Sequence, residues 1–379
     1  MRFLFLWIFA LSLPVLWAQP SQDSVREDIS LLFIGDIMGH GPQITSAYDS
    51  KTGAYNYDHN FKYVRDIISS ADYTIANLEI TLAGPPYSGY PQFSSPDALA
   101  ESCRDAGIDV LVTANNHTCD RGGEGIVRTV NILDTLKIMH TGSFVDAADR
   151  ERDHPLFIEH NCFRLAILNY TYGTNGLPFP APTIVNLLDK EQIKKDMEIA
   201  KSRAVDKIIV VVHWGQEYML QPVQEQIDFG NYFFEQGADI VVGAHPHVLE
   251  KMVWEKATGP DGKESLIVYS LGNFVSNQRK RYTDGGAMFK LTLRKEGKRC
   301  FIKDAGYFLT WVYTPTESDG KNYYVLPAAQ YESDTTLFTS KADYDQMMLF
   351  IKDSRELFDG HNKNIPEYIY TNEKWAIKE

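Results

Sequence analysis

The sequence is short of cysteine, short of positive charge and, beyond its first residues, without a long apolar run. Its 4 cysteines, Cys103, Cys119, Cys162 and Cys300, are too widely and unevenly spaced in 379 residues to form a disulfide framework, so they read as mostly buried small apolar residues. Lys and Arg number 37 against 50 Asp and Glu, a formal net charge of −13. Nucleic-acid binding needs a basic face, so this balance argues against a nucleic-acid partner. Any anionic substrate must then be met by a local positive site, and a metal pair is one such site. No internal repeat or low-complexity tract interrupts the chain, and 44% hydrophobic with 23% charged residues is an ordinary globular composition.

Met1-Arg2 followed by the apolar residues 3–17 reads as a charged n-region and an h-region, with Ala18 before Gln19 as the cleavage point. The run is shorter than the ~20 residues a spanning helix needs. No lipobox-like cysteine follows it. Residues 1–18 are therefore read as a signal peptide, and the chain as exported to the periplasm or cell surface. Membrane contact is expected only through the leader, if it stays uncleaved.

What the chain does have is a repeated arrangement in which short β-rich apolar runs end in chemically capable residues. Residues 31–34 run into Gly35-Asp36, 73–76 into Asn77-Leu78-Glu79, 110–114 into Asn115-Asn116-His117, 208–212 into His213-Trp214, and 240–244 into His245-Pro246-His247. Such runs read as buried strands. If they are neighbours in a sheet, the residues that follow them converge on its carboxyl edge, where open α/β sheets place their sites. The mixture of imidazole and oxygen donors suits Zn, Mn or Fe, with enough groups for two divalent ions. In His245-Pro246-His247, two imidazoles at i and i+2 are expected on one side of an extended chain, a form that Pro246 favours at His245. After His117, Asp120, Gly122, Gly123 and Gly125 form a glycine-rich loop able to bring backbone amides close to a ligand.

Between these runs lie helical patterns over 96–106, 125–136 and 227–236, the first and last stopped by Gly107 and Gly237. The βα rhythm from Leu31 to about Asn277 predicts an α/β sheet. Beyond Gly286, an antiparallel pair over 287–293 and 300–313 is expected, then a strand near 323–326 and a surface helix over 343–358.

Taken together, Gly35-Asp36, Asn77-Leu78-Glu79, Ala114-Asn115-Asn116-His117 with Asp120 and Gly122, His213-Trp214-Gly215-Gln216-Glu217-Tyr218, Gly243-Ala244-His245-Pro246-His247 and Ser270-Leu271-Gly272-Asn273-Phe274 resemble the CapA-like proteins of poly-γ-glutamate capsule synthesis. That family looks like a branch of the calcineurin-like metallophosphoesterases. Each motif is weak alone, and six in order are specific. The resemblance implies an α/β fold, a four-layer α/β/β/α sandwich of two mixed sheets, spanning residues 28–313, with 314–379 as an extension packed on the same domain.

Residue by residue, the resemblance implies that Asp36 and His247 hold one divalent ion and that Asn116, His213 and His245 hold another. Glu79 stands where those enzymes carry a bridging aspartate. His117 matches the histidine that protonates a leaving oxygen, with Asp120 beside it as the second catalytic candidate. The first segment departs from the Asp-x-His pattern: two beyond Asp36 is Met38, a poor ligand for such ions. His40, four beyond Asp36, is the alternative ligand or a substrate contact. Arg121, Arg279 and Arg281 are candidates for a substrate carboxylate or phosphate, since guanidinium pairs with either in bidentate geometry. A solvated cluster with Lys280 is the competing reading of Arg279 and Arg281. Glu217 and Asn273, in the quoted motifs, complete the substrate-binding set, and 170–176 reads either as a further rim loop or as an aromatic core edge. The function implied is a metal-dependent hydrolase or transferase acting on an anionic substrate or polymer such as poly-γ-glutamate, in company with capsule-synthesis machinery. The alternatives are a metallophosphatase or phosphodiesterase, and a non-catalytic polymer-binding protein.

Overall fold

A strand buried on both faces needs apolar residues at consecutive positions, because its side chains alternate between the two sides. Arg26–Ile37 meets that demand: Ile29, Leu31 and Phe33 enter one core, while Leu32, Ile34 and Ile37 enter another. A computed structural model describes residues 26–257, 263–317 and 320–378; the expected signal peptide, 1–18, lies outside them.

Among the described residues, Arg26–Ile37 is central to an 8-stranded mixed sheet, ordered Tyr324–Pro327, Arg299–Tyr313, Gly285–Glu296, Arg26–Ile37, Tyr73–Leu78, Val110–Val112 and Met139–Thr141, with Asn273–Val275 paired to the end of Arg26–Ile37. A 6-stranded sheet runs Met252–Glu255, Ser265–Val268, Ile240–Ala244, Lys207–His213, Phe163–Thr171 and Leu156–His160. The two face each other across the main core, which draws Phe33, Ile75 and Val112 from one and Ile167, Val211 and Val242 from the other. Helix Ala98–Ala106 covers the outside of the first sheet through Leu99, Ala100 and Cys103. Helices Lys190–Ser202 and Gln224–Gln236 cover the second through Ile193, Met197 and Phe233. The molecule is thus the expected four-layer α/β/β/α sandwich of two mixed sheets. Gly107 and Gly237 close their helices with φ of 100° and 106°, as the stop signals predicted.

The expected antiparallel pair is Gly285–Glu296 with Arg299–Tyr313. The last long helix, Lys341–Asp359, is more deeply seated than its surface reading, because Met347, Phe350, Ile351 and Phe358 join the main core. The 4 cysteines are free; Cys103 and Cys119 are buried, Cys300 half-buried and Cys162 exposed. No helix among the described residues is long and apolar enough to cross a membrane.

Candidate metal centre

The parallel strands of both sheets end at one rim. Asp36 is in register with Asn77 on one side and Asn273 on the other. In the facing sheet, His213 is in register with Ala244, immediately before His245. The approach of Asp36 depends on a glycine: a Cβ at Gly35 would lie 2.1 Å from the Gly272 carbonyl oxygen. The backbone of the His245-Pro246-His247 segment is not extended as its spacing suggested. His245 and His247 have φ of 102° and 58°, a sparsely populated region for non-glycine residues, and it is this turn that brings their rings to 6.0 Å.

Glu79 occupies the middle. Its Oε1 stands 3.6 Å from His213 Nε2 and 3.7 Å from His247 Nε2. Donor atoms of Glu79, His213 and His245 lie within 4.8 Å of one another, as do those of Asp36, Glu79 and His247, so Glu79 is common to both groups. Asn116 Oδ1 adds an oxygen 2.8 Å from His213 Nε2. Asp36 Oδ2 is 3.1 Å from His247 Nδ1, and its Oδ1 accepts the Asn77 amide at 2.8 Å.

The electrostatics fit cation binding. Burial, then the charges of Asp36 and Glu217, push the Glu79 carboxyl well above its usual range. Burial and the neighbouring His245 and His247 push His213 well below its usual value, while burial and then His247 bring His245 down to about 3. Neutral imidazoles are the ligand form. Both Glu79 oxygens and His245 Nδ1 are buried with no hydrogen-bond partner. A buried unpaired carboxylate is costly, and two converging cation sites would remove the cost. The donors present therefore fit divalent metal, with Glu79 common to both donor groups.

His117 and Asp120 lie beside this centre. His117 Nδ1 is 2.8 Å from Asp120 Oδ2, and its ring meets Phe93 edge-on at 4.6 Å. His40 is bound to Gln43 at 3.1 Å and packs on Phe93; burial first, then His247 and His117, lowers it to about 4. It joins neither donor group, and Met38 turns into the outer core. Asn273 is fully buried and serves His247, with its Oδ1 3.1 Å from His247 Nδ1 and its amide given to the Thr283 carbonyl. Glu217 is exposed, with its charge felt at Glu79 and Tyr218. Arg121 bonds Ser88.

The arginines after Asn273 turn away. Arg279 donates to the Val312 carbonyl at 2.7 Å and stacks on Trp311, and Arg281 forms a bidentate pair with Asp353 at 2.7 Å. Their partners lie on the long strand and last helix, too distant in sequence to be read from local pattern. Lys280, between them, extends the other way over the Tyr218 ring, which lies 6.2 Å from His247. Sequence reasoning gave no role to Asn77, Tyr172, Asn175 or Tyr218, although the 170–176 segment stood out. Tyr172 is a rim residue, its ring 4.7 Å from His245.

A family model, bacterial capsule synthesis protein PGA_cap, matches residues 30–278. The chain belongs to this family. The match contains every donor of the centre. Among curated proteins, the chain is similar to a capsule biosynthesis protein CapA of Bacillus anthracis, 28% identical over 73% of this chain and 67% of that protein. It is also similar to a PGA biosynthesis protein CapA of Bacillus subtilis, 30% identical over 76% of each. Among solved structures, the chain aligns with the NAD nucleotidase of Haemophilus influenzae at TM-score 0.49 and 14% identity, over 87% of this chain and 68% of that one. It aligns with the calcineurin-like phosphoesterase YfkN of Bacillus subtilis at TM-score 0.45 and 12% identity, over 87% and 98%.

Proposed function

We propose that this chain is an exported, metal-dependent hydrolase or transferase of capsule or cell-surface polymer metabolism, acting on an anionic polymer of the poly-γ-glutamate type. The observation that carries the reading is Glu79, a buried carboxylate with no hydrogen-bond partner, shared between two groups of converging donors. Asp36 and His247 would hold one divalent ion, Asn116, His213 and His245 the other, with Glu79 between them. Such a pair supplies Lewis acidity, polarising an acyl or phosphoryl oxygen and neutralising the charge that develops on it.

The chain's own groups account for the proton and the substrate. Asp120 holds His117 through Nδ1, leaving Nε2 to carry a proton to a leaving atom. Lys280, exposed at the mouth over Tyr218, supplies positive charge for a carboxylate on a chain whose net charge is −13. The capsule setting is supported by the family and by the names of its CapA relatives. Phosphoester hydrolysis is the second reading, favoured by the same two donor groups. A polymer-binding protein without turnover is the third.

Elemental analysis of chelator-free protein, paired with turnover of poly-γ-glutamate and of p-nitrophenyl phosphate, tests these readings together. Two ions per chain with polymer turnover supports the first, phosphate-ester turnover alone the second, and polymer binding without turnover the third. Protein without divalent metal that turns over neither substrate overturns the enzyme readings. Export rests on residues 1–18, and mass spectrometry finding Met1 retained on extracytoplasmic protein would overturn cleavage near Ala18.

A further inference from the structure

We propose that Asn175 is a positioning residue for one of the two cation sites, fixing which end of the Asn116 amide faces His213; the inference rests on the cation-binding reading above. A side-chain amide has two ends of nearly equal shape, and only its oxygen can ligate a cation. Which end faces a site is decided by what the other end meets. Asn116 Nδ2 donates to Asn175 Oδ1 at 3.3 Å, and Asn116 Oδ1 is thereby turned to within 2.8 Å of His213 Nε2. The Tyr172 hydroxyl donates to the same Asn175 oxygen at 3.4 Å, and reversing the Asn175 amide would set its NH₂ against the Asn116 NH₂. Asn175 has a φ of 51°, in the left-handed region that Asn, Asp and Gly tolerate better than other residues.

The same loop reaches the other two donors of that site. The Tyr172 ring lies parallel to His213, at 10° and 6.4 Å, and 4.7 Å from His245. The contacts of Tyr172 and Asn175 thus fall on Asn116, His213 and His245, the set assigned to one ion, while Asp36 and His247 are held by Asn77 and Asn273. Loss of Asn175 should therefore act on one cation and spare the other.

The test compares full-length wild type with Asn175→Gly, which keeps the left-handed backbone and removes the acceptor, and Asn175→Asp, which keeps an acceptor that cannot reverse. Each is titrated with Mn²⁺ alone by calorimetry, and melting is followed in chelator as a check on folding. Wild type and Asn175→Asp should bind two ions, and Asn175→Gly should bind one normally and the other roughly 10–100-fold more weakly, the usual cost of losing a group that orients a ligand. Wild-type affinity at both sites in Asn175→Gly, or equal weakening of both, overturns the proposal. So does equal weakening in Asn175→Asp, or an Asn175→Gly that loses binding only because it melts before the titration temperature while Asn175→Asp is folded and deficient. A wild type that takes up no ion instead overturns the cation-binding reading itself, and this inference with it.

Discussion

His117 Nδ1 lies 2.8 Å from Asp120 Oδ2, and that carboxylate oxygen also accepts the backbone N–H of Phe93 at 2.7 Å. Two donors on one buried oxygen fix the ring and place the Nδ1 proton on the Asp120 side, which leaves Nε2 for proton transfer. His117→Ala should keep both ions while turnover falls roughly 10²–10⁴-fold, the range for losing a positioned proton donor. His245→Ala should lower metal content by removing a ligand. Metal stoichiometry, melting temperature and turnover measured side by side decide this, and equal metal loss in both variants would make His117 a ligand.

Glu79 gives a pH dependence whose sign follows from its burial. Its carboxyl is raised on folding, so its contribution favours the folded state below the ordinary value of 4.5 and is lost as pH rises toward the folded value. Chelated wild type should therefore lose stability as pH rises above 4.5 relative to Glu79→Gln. At neutral pH in chelator the Gln variant should be more stable, because it places no charge in the buried site. It should also bind ions more weakly at both sites. Melting across pH, with and without Mn²⁺, checks both statements.

Lys280 and Arg279 are expected to separate binding from stability. Lys280→Ala should raise KM for an anionic polymer about 2–5-fold with kcat and metal content unchanged, since an exposed ion pair contributes roughly 0.2–1 kcal/mol. Arg279→Ala should instead lower the melting temperature, because its guanidinium packs on Trp311 and bonds the Val312 carbonyl. If Arg279→Ala alone raised KM, the positions of the two cations would be misread.

At Gly35 the constraint is steric. Gly35→Ala puts a methyl group 2.1 Å from the Gly272 backbone oxygen. Backbone cannot yield as a flexible side chain can, so a loss of roughly 1–3 kcal/mol or more is expected. Because Asp36 N–H donates to that same Gly272 oxygen, at 3.0 Å, metal affinity should fall with stability. Chemical denaturation and metal titration provide the check.

Strands and rim donors were legible in the sequence because both are local. A run such as 240–244 must be buried to avoid exposing five apolar positions, and a polar residue at its end must emerge at a sheet edge. That logic places Asp36, Glu79, Asn116, His213, His245 and His247 at strand ends, and the family resemblance implies their role as ligands. It erred where the argument was one of backbone form, as at His245 and His247, whose left-handed turn was not implied by an extended pattern.

By itself the sequence determined the alternation of elements, the chemistry of the rim and the family. Tertiary structure alone decided what each charged or amide group meets, because those partners are far apart along the chain. Arg281 is committed to Asp353, 72 residues on, and Asn116 to Asn175, 59 residues on. Glu79 is set between histidines carried by the opposite sheet. Local periodicity specifies which face of a strand is buried; only the packing of two sheets specifies which strand ends come within the few ångströms over which a hydrogen bond or a metal bond acts.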